Sequence, residues 1–206
     1  LDHLIVAEDA FARVEPAAAA VLQPAVQALV RGFRAGMGTV DTVTLAPEGL
    51  EGWRQAFRIH QGFEIWQTHG PRIEAYQPDF GPGIKERLAW TATIDPATFE
   101  EAVAVRRDIR RQLVELLTPR SALLIPTAPD IAPLKDLPAP ELEAFRNRAL
   151  ELLCIAGHAG LPQVNLPGLT REGCPLGLSL AGPPGSDRAL MALAAALAAH
   201  LDPAKT

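Results

Sequence analysis

The stretch Ala122-Leu123-Leu124-Ile125-Pro126-Thr127-Ala128-Pro129 decides the fold class. Its apolar run is too short for a helix and ends at a proline. It therefore predicts a buried strand whose carboxyl end opens into the Pro-rich loop through Pro140. Before it, Asp95-Pro96 supplies an N-cap and an N1 proline, where the missing N–H has no intrahelical acceptor to lose. Phe99, Val103, Ile109, Leu113, Leu116 and Leu117 then continue as one apolar helical face, which leaves Arg106, Arg107, Arg110 and Arg111 to the solvated side. After it, residues 141–157 read as a helix, and Gly160-Leu161-Pro162 turns into a short strand over 163–166. A turn containing Gly168, Gly173 and Pro175 leads to a strand over 176–181. Beyond Gly182-Pro183-Pro184-Gly185, the Ser186 hydroxyl is expected to cap a last amphipathic helix through Leu190, Leu193 and Leu197.

The same alternation governs the amino-terminal side. Leu4-Ile5-Val6-Ala7 is a short apolar run closed by Glu8-Asp9, hence a strand. Residues 16–34 carry Val21, Leu22, Ala25, Leu29 and Phe33 at helical spacing, with a kink expected at Pro24 and an end at Gly36 and Gly38. The β-branched alternation of 39–45 is a strand, which completes a βαβ-like opening. A helix follows over 50–69, stopped by Gly70-Pro71. The loop Phe80-Gly81-Pro82-Gly83 then launches a short helix over 84–91. The predicted fold class is α/β, a layered sheet flanked by helices, with no linker that divides it and no internal repeat.

Composition narrows the functional classes. With 48% hydrophobic and 21% charged residues, the 206-residue chain has enough apolar surface for a core, which excludes disorder. No apolar run reaches the roughly 18 residues of a membrane span. Nineteen Lys+Arg against 24 Asp+Glu leave a net charge of −5 and no basic stripe, so nucleic acid is not an expected partner. Cys154 and Cys174 form neither a metal-ligand spacing nor a disulfide framework, which fits a cytoplasmic protein. The sequence begins at Leu1 without an initiator methionine, and the expectation is a single partial domain over 1–206.

The motifs that could carry chemistry read blandly. Gly182 to Asp187 has the strand before and the helix after that a phosphate cradle needs. Two prolines remove donors, however, and Asp187 repels an anion. His60 and His69 are nine apart, too far for one metal-binding face, and His158 and His200 read as cap or surface groups, so no metal is expected. Cys154 sits in an apolar run that raises a thiol pKa, as expected of a core residue. Ser121, Ser179 and Ser186 are the three serines, and none lies in a Gly-rich nucleophile elbow.

Three stretches, in order, resemble the carboxyl-terminal half of amidase-signature-family enzymes. They are Ala122-Leu-Leu-Ile-Pro-Thr-Ala-Pro-Asp-Ile-Ala-Pro133, Ile155-Ala-Gly-His-Ala-Gly-Leu-Pro-Gln-Val-Asn-Leu-Pro167 and Pro175-Leu-Gly-Leu-Ser-Leu-Ala-Gly-Pro183. Residues 56–64 and 80–87 are similar to the two helices that precede this region in simple amidases. The wording after Gly185 leans toward the indoleacetamide-hydrolase-like subgroup.

The resemblance implies hydrolysis of a small carboxamide to acid and ammonia by a Ser, cis-Ser, Lys triad, without metal or organic cofactor. The triad belongs to the amino-terminal half of such enzymes. Lys85, Lys135 and Lys205 stand in none of the catalytic-lysine context, so no catalytic residue is carried over and the chain alone is expected to be inactive. Its expected contribution is scaffold and part of the substrate pocket. Pro126 and Thr127 lie at the carboxyl end of a strand, where open α/β sheets bind ligands. Arg87 matches an arginine that glutaminyl-type amidotransferase subunits set against a substrate carboxylate, and Leu150 stands where they carry an acid for an α-amino group. An apolar amide is therefore expected rather than an amino-acid amide. The expected partners are that small amide and the amino-terminal half of the same enzyme, and a homodimer is left open. The alternatives are a non-catalytic binding module and a subunit of a glutamine-dependent amidotransferase.

Overall fold

The computed structural model describes residues 1–81 and 83–201. Pro82, in the loop after Phe80, and Lys205 lie outside the described residues. Five strands form one mixed sheet: β1 (His3–Ala7), β2 (Thr39–Val43), β3 (Ser121–Pro126), β4 (Gln163–Arg171) and β5 (Cys174–Ala181). Their order is β2-β1-β3-β5-β4. β1 runs parallel to both β2 and β3, whereas β5 is antiparallel to β3 and β4. The parallel part is the predicted βαβ opening. Its crossover is made by α1 (Glu8–Phe11) and α2 (Pro16–Ala35), and α2 carries Pro24 without a break in the helix.

Every residue of β3 is buried, because helices cover both faces. Leu123 and Ile125 pack with Leu50 and Trp53 of α3 (Leu50–Tyr76), Ile109 and Leu113 of α5 (Pro96–Leu116), and Leu152 and Ile155 of α6 (Ala139–Ala159). Ala122 and Leu124 point the other way, onto Leu22 and Leu29 of α2 and Leu190 and Leu197 of α7 (Asp187–Ala198). The period-two alternation of a strand thus separates two cores across one sheet. Asp95 caps α5 as expected, accepting from the N–H groups of Ala97 and Thr98 at 2.9 Å. Those bonds hold its carboxyl below the usual carboxylate range.

Beyond shifts of one or two residues at other ends, two boundaries and one cap differ from the expectation. Gly70-Pro71 does not stop α3, which runs on to Tyr76 and ends with Gln77 in the left-handed region. The helix takes up Pro71 as α2 takes up Pro24, and Gly70 before it has no Cβ to meet the proline ring. The same gap lets the Trp66 indole lie against the helix, since a Cβ on Gly70 would sit 2.8 Å from that ring. β4 does not end at Leu166 either. It continues to Arg171 through an irregularity between Leu166 and Leu169, so the connection to β5 is a hairpin turned at Glu172-Gly173, both at positive φ. Ser186 stands at the N-cap of α7 without side-chain capping. Its φ and ψ of −86° and 10° lie outside the extended region in which a cap hydroxyl reaches the first-turn N–H groups.

α6 ends on Gly160, whose φ of 64° is left-handed and whose N–H returns to the Ala156 carbonyl. Nothing crowds a Cβ there, so Gly160→Ala tests backbone strain alone. We expect it to cost about 1 kcal/mol in urea denaturation, and an unchanged midpoint would contradict the strain argument.

Candidate functional site

Arg87 sits on α4 (Ile84–Thr91), whose first turn is fixed by the Glu86 carboxylate accepting from the Gly83 N–H at 2.6 Å. Arg87 is exposed, and its Nη2 lies 3.7 Å from Glu143 Oε2 on α6, with Arg146 Nη1 4.0 Å from the same oxygen. Arg87 and Leu150 line one cavity of about 400 Å³ between α3, α4 and α6. Ile65, Trp90 and Leu153 supply its apolar wall, and Arg58 enters from α3 with its guanidinium 5.2 Å from the centre of the Trp90 ring. Asn147 closes the polar side, its Oδ1 accepting from Arg54 at 3.0 Å and from Arg58 at 3.5 Å. The cavity is thus apolar on one side and bears three arginines against one glutamate on the other.

Pro126 and Thr127 do not line that cavity, and strand alternation puts Pro126 on the face of Leu124 and Thr127 on that of Ile125. Pro126 is the buried last residue of β3, paired with Leu178. Thr127 follows it, half-buried, with its N–H donating to the Gly177 carbonyl at 3.0 Å. Its hydroxyl bonds Asn165 Oδ1 at 2.7 Å and Ser179 Oγ at 2.8 Å. The structure therefore joins Arg87 to Leu150 and sets Thr127 in a separate polar cluster. The alternation Gln163-Val164-Asn165-Leu166 was the available signal for Asn165, since it puts Asn165 opposite the buried Leu166.

Two expectations about charged groups need correction. Arg106 is not on the solvated side of α5. Its guanidinium turns inward to the His60 ring at 3.0 Å and donates to the carbonyls of Gly157 and His158, ends of α6 with no intrahelical partner. His158 is neither cap nor surface group but fully buried, its Nε2 donating to the Trp53 carbonyl at 2.9 Å between the edges of Trp53 and Phe57. Burial, more than the nearby Arg106 and His60, lowers its pKa to about 4. His60 is likewise lowered, by burial first and then by Arg106. Cys154 is the core residue expected, its thiol pushed up to about 12 by burial and then by Glu151.

The three serine hydroxyls are each enclosed or engaged within the fold. Asp41 Oδ2, His3 and Ser121 Oγ form a chain with steps of 2.8 and 3.2 Å, which has the connectivity of a catalytic triad. Ser121 is fully buried at the amino end of β3, however, and its hydroxyl also bonds Thr118 at 2.8 Å. No substrate carbonyl reaches it, so the chain serves as a strap across β2, β1 and β3. Ser179 is fully buried on Thr127, and Ser186 Oγ is buried beside Gly182 with no partner among the described residues. Among the described residues no cluster of metal-binding side chains is present, and no helix is long and apolar enough to cross a membrane.

A model of the amidase family matches residues 62–191, which include the cavity's α4 and α6 walls and the hairpin of β4 and β5. The chain belongs to the amidase family. It is 34% identical over 167 residues to Amidase 1 of Arabidopsis thaliana, covering 79% of this chain and 39% of that protein. It is 40% identical to the mandelamide hydrolase of Pseudomonas putida over 75 residues, 35% of this chain and 15% of that enzyme. A crystal structure of an amidase superposes with a TM-score of 0.78 at 25% identity, covering 96% of this chain and 45% of that one. The chain thus spans less than half of these longer relatives. An α/β sheet flanked by helices is the amidase-signature architecture that the sequence predicted.

Proposed function

We propose that this chain is the carboxyl-terminal part of an amidase that hydrolyses a small, apolar carboxamide to acid and ammonia. In this reading it supplies scaffold and pocket wall, works in the cytoplasm, and needs the amino-terminal half of the same enzyme as its partner. The observation that carries the proposal is the cavity shared by Arg87 and Leu150. Ile65, Trp90, Leu150 and Leu153 offer a surface for an aryl or alkyl acyl group. Arg87, the candidate for a substrate carboxylate, already faces Glu143, and Leu150 offers nothing to an α-ammonium group. An amino-acid amide would find its two charges poorly matched. The likeness to mandelamide hydrolase, named for an aryl-substituted acetamide, and the indoleacetamide-hydrolase-like wording of the sequence support the same substrate class.

Chemistry at the carbonyl would come from outside these residues. Amide hydrolysis here needs a serine nucleophile, a proton acceptor and donors for the oxyanion. Ser121 and Ser179 are buried on other partners, and Lys85 and Lys135 are exposed on the surface. Pro126 and Thr127, at the carboxyl end of β3, stand as wall for a site completed by the other half.

Ammonia release from phenylacetamide and from glutamine, measured side by side with the complete enzyme, tests this reading. We expect phenylacetamide to be preferred and the 206-residue chain alone to release no ammonia. Preference for glutamine would sink the substrate class, and turnover by the isolated chain would sink the assignment of the triad to the other half.

A further inference from the structure

The burial of Ser179 sets the direction of the hydrogen bonds in the Thr127 cluster. Ser179 is fully buried, so its hydroxyl proton needs an acceptor, and the hydroxyl of Thr127 is the partner at 2.8 Å. Thr127 therefore receives from Ser179 and must spend its own proton elsewhere. It gives it to Asn165 Oδ1 at 2.7 Å. The reverse orientation, with Asn165 donating to Thr127 and Thr127 to Ser179, would strand the Ser179 proton in the interior. An unpaired buried donor costs more than a made bond contributes, which selects the first arrangement.

Asn165 is thereby held by its oxygen, and its two amide N–H groups are turned away from the cluster. Gly177 makes room for this: a Cβ there would lie 2.3 Å from Asn165 Oδ1 and 3.1 Å from Thr127 Oγ1. Asn165 is itself exposed, on edge strand β4 opposite Ser179. Strand alternation puts Ser179 and Thr127 on the same sheet face as Ile125, the face covered by α3, α5 and α6, and of these α3 and α6 also line the cavity of Arg87 and Leu150. A rigidly aimed pair of donors thus stands uncovered beside the carboxyl end of β3.

We propose that Asn165 is a specificity-determining residue, whose side-chain amide donates to an oxygen substituent on the acyl part of the substrate. This rests on the amidase reading above and sharpens its substrate class to oxygen-bearing arylacetamides. A site built to donate to a substrate oxygen discriminates against the analogue that lacks it, because its donors are then left without that partner.

Mandelamide and phenylacetamide differ by one hydroxyl, so their kcat/KM ratio in the complete enzyme isolates that contact. We expect mandelamide to be favoured, and N165A and N165L each to shrink its advantage about tenfold, the worth of one hydrogen bond. S179A removes the donor to Thr127 but leaves Asn165 Oδ1 as the acceptor of the Thr127 proton, so it should change the advantage less than either Asn165 variant. A ratio unchanged in both Asn165 variants overturns the proposal, whatever happens to their stability, since a residue that only packs against the rest of the enzyme would affect both amides alike. A second arm does not depend on turnover. In ¹⁵N-labelled complete enzyme, the Asn165 side-chain amide signal, assigned by its loss in N165A, should shift with mandelate and not with phenylacetate. Absence of turnover with that shift present would fail the amidase reading alone. Absence of the shift would fail this one.

Discussion

Arg54→Met is expected to destabilise the protein by about 3 kcal/mol, the low end of the scale for removing one partner of a buried ion pair. Arg54 is 8% exposed on α3, and Glu151 on α6 is 4% exposed. Their charges face each other across the helix pair, with Arg54 Nε 3.5 Å from Glu151 Oε1. That distance is within ion-pair range but lacks hydrogen-bond geometry, so the Nε–H stays unbonded. The guanidinium is held instead by Glu51 at 3.2 Å and Asn147 at 3.0 Å, while Glu151 takes a bond of 2.6 Å from Arg13. Removing Arg54 leaves Glu151 with Arg13 alone and leaves Asn147, which lines the candidate pocket, with only the long contact from Arg58. The companion variant separates charge from packing. Replacing Glu151 by Leu in the same chain removes the stranded carboxylate, and Arg13, nearly half-exposed, turns to water. The double variant should regain a large share of the loss, as isosteric apolar replacement of buried pairs does. Urea denaturation of the two single variants and the double closes the cycle. A cost below about 1 kcal/mol for Arg54→Met would put the pair among weak surface ion pairs and refute the assignment.

Most of the scaffold was legible in the sequence because it follows local rules. Leu123 to Ile125 form a continuous apolar run, Asp95-Pro96 is a helix start, and residues 39–43 are β-branched; each signal lies within a few residues of the structure it specifies. The misreadings share a different character. Gly70-Pro71 reads as a stop on local signals, although the helix runs through it to Tyr76. The helical face of α5 assigns Arg106 to solvent and the helix end makes His158 a cap or surface group, although Arg106 is half-buried and His158 fully buried by elements distant in sequence. Arg106 meets the end of α6 some fifty residues on, and His158 donates to a carbonyl about a hundred residues back. No periodicity within one helix reports such pairings. The candidate site divides along the same line. Resemblance singles out Arg87 and Leu150 separately, and the two line one cavity. The Glu143 that occupies Arg87, and the Ser179 to Thr127 relay that aims Asn165, depend on contacts between elements and became visible only with the fold.

Acid should weaken the protein between about pH 6.5 and pH 4, and His158 should account for about 3 kcal/mol of the loss. The unfolded chain binds a proton to this histidine near its ordinary pKa of 6.5, whereas the folded protein resists protonation down to about 4. Above pH 7 neither state carries the proton, and the full stability is present. As pH falls through the interval, only the unfolded state gains a proton, so the equilibrium moves toward it. Below about 4 both are protonated and the histidine contributes no further slope. The physical source is the ring's surroundings. One nitrogen is committed as donor to Trp53, the other is buried without a partner, and Arg106 and His60 stand close by, so the cationic form has no compensating anion. His60, lowered for the same reasons, adds in the same direction. Carboxylates also lose stability in this range, and His158→Gln isolates the histidine, since glutamine can still donate to the Trp53 carbonyl and does not titrate. Unfolding free energies from pH 8 to pH 4 should fall more steeply for the wild type than for His158→Gln, the two curves converging by about 3 kcal/mol at the acid end. Parallel curves would mean that His158 accepts its proton in the folded state as readily as in the unfolded one. The packing of Trp53, Phe57 and Arg106 around it would then have to open in acid without loss of the fold.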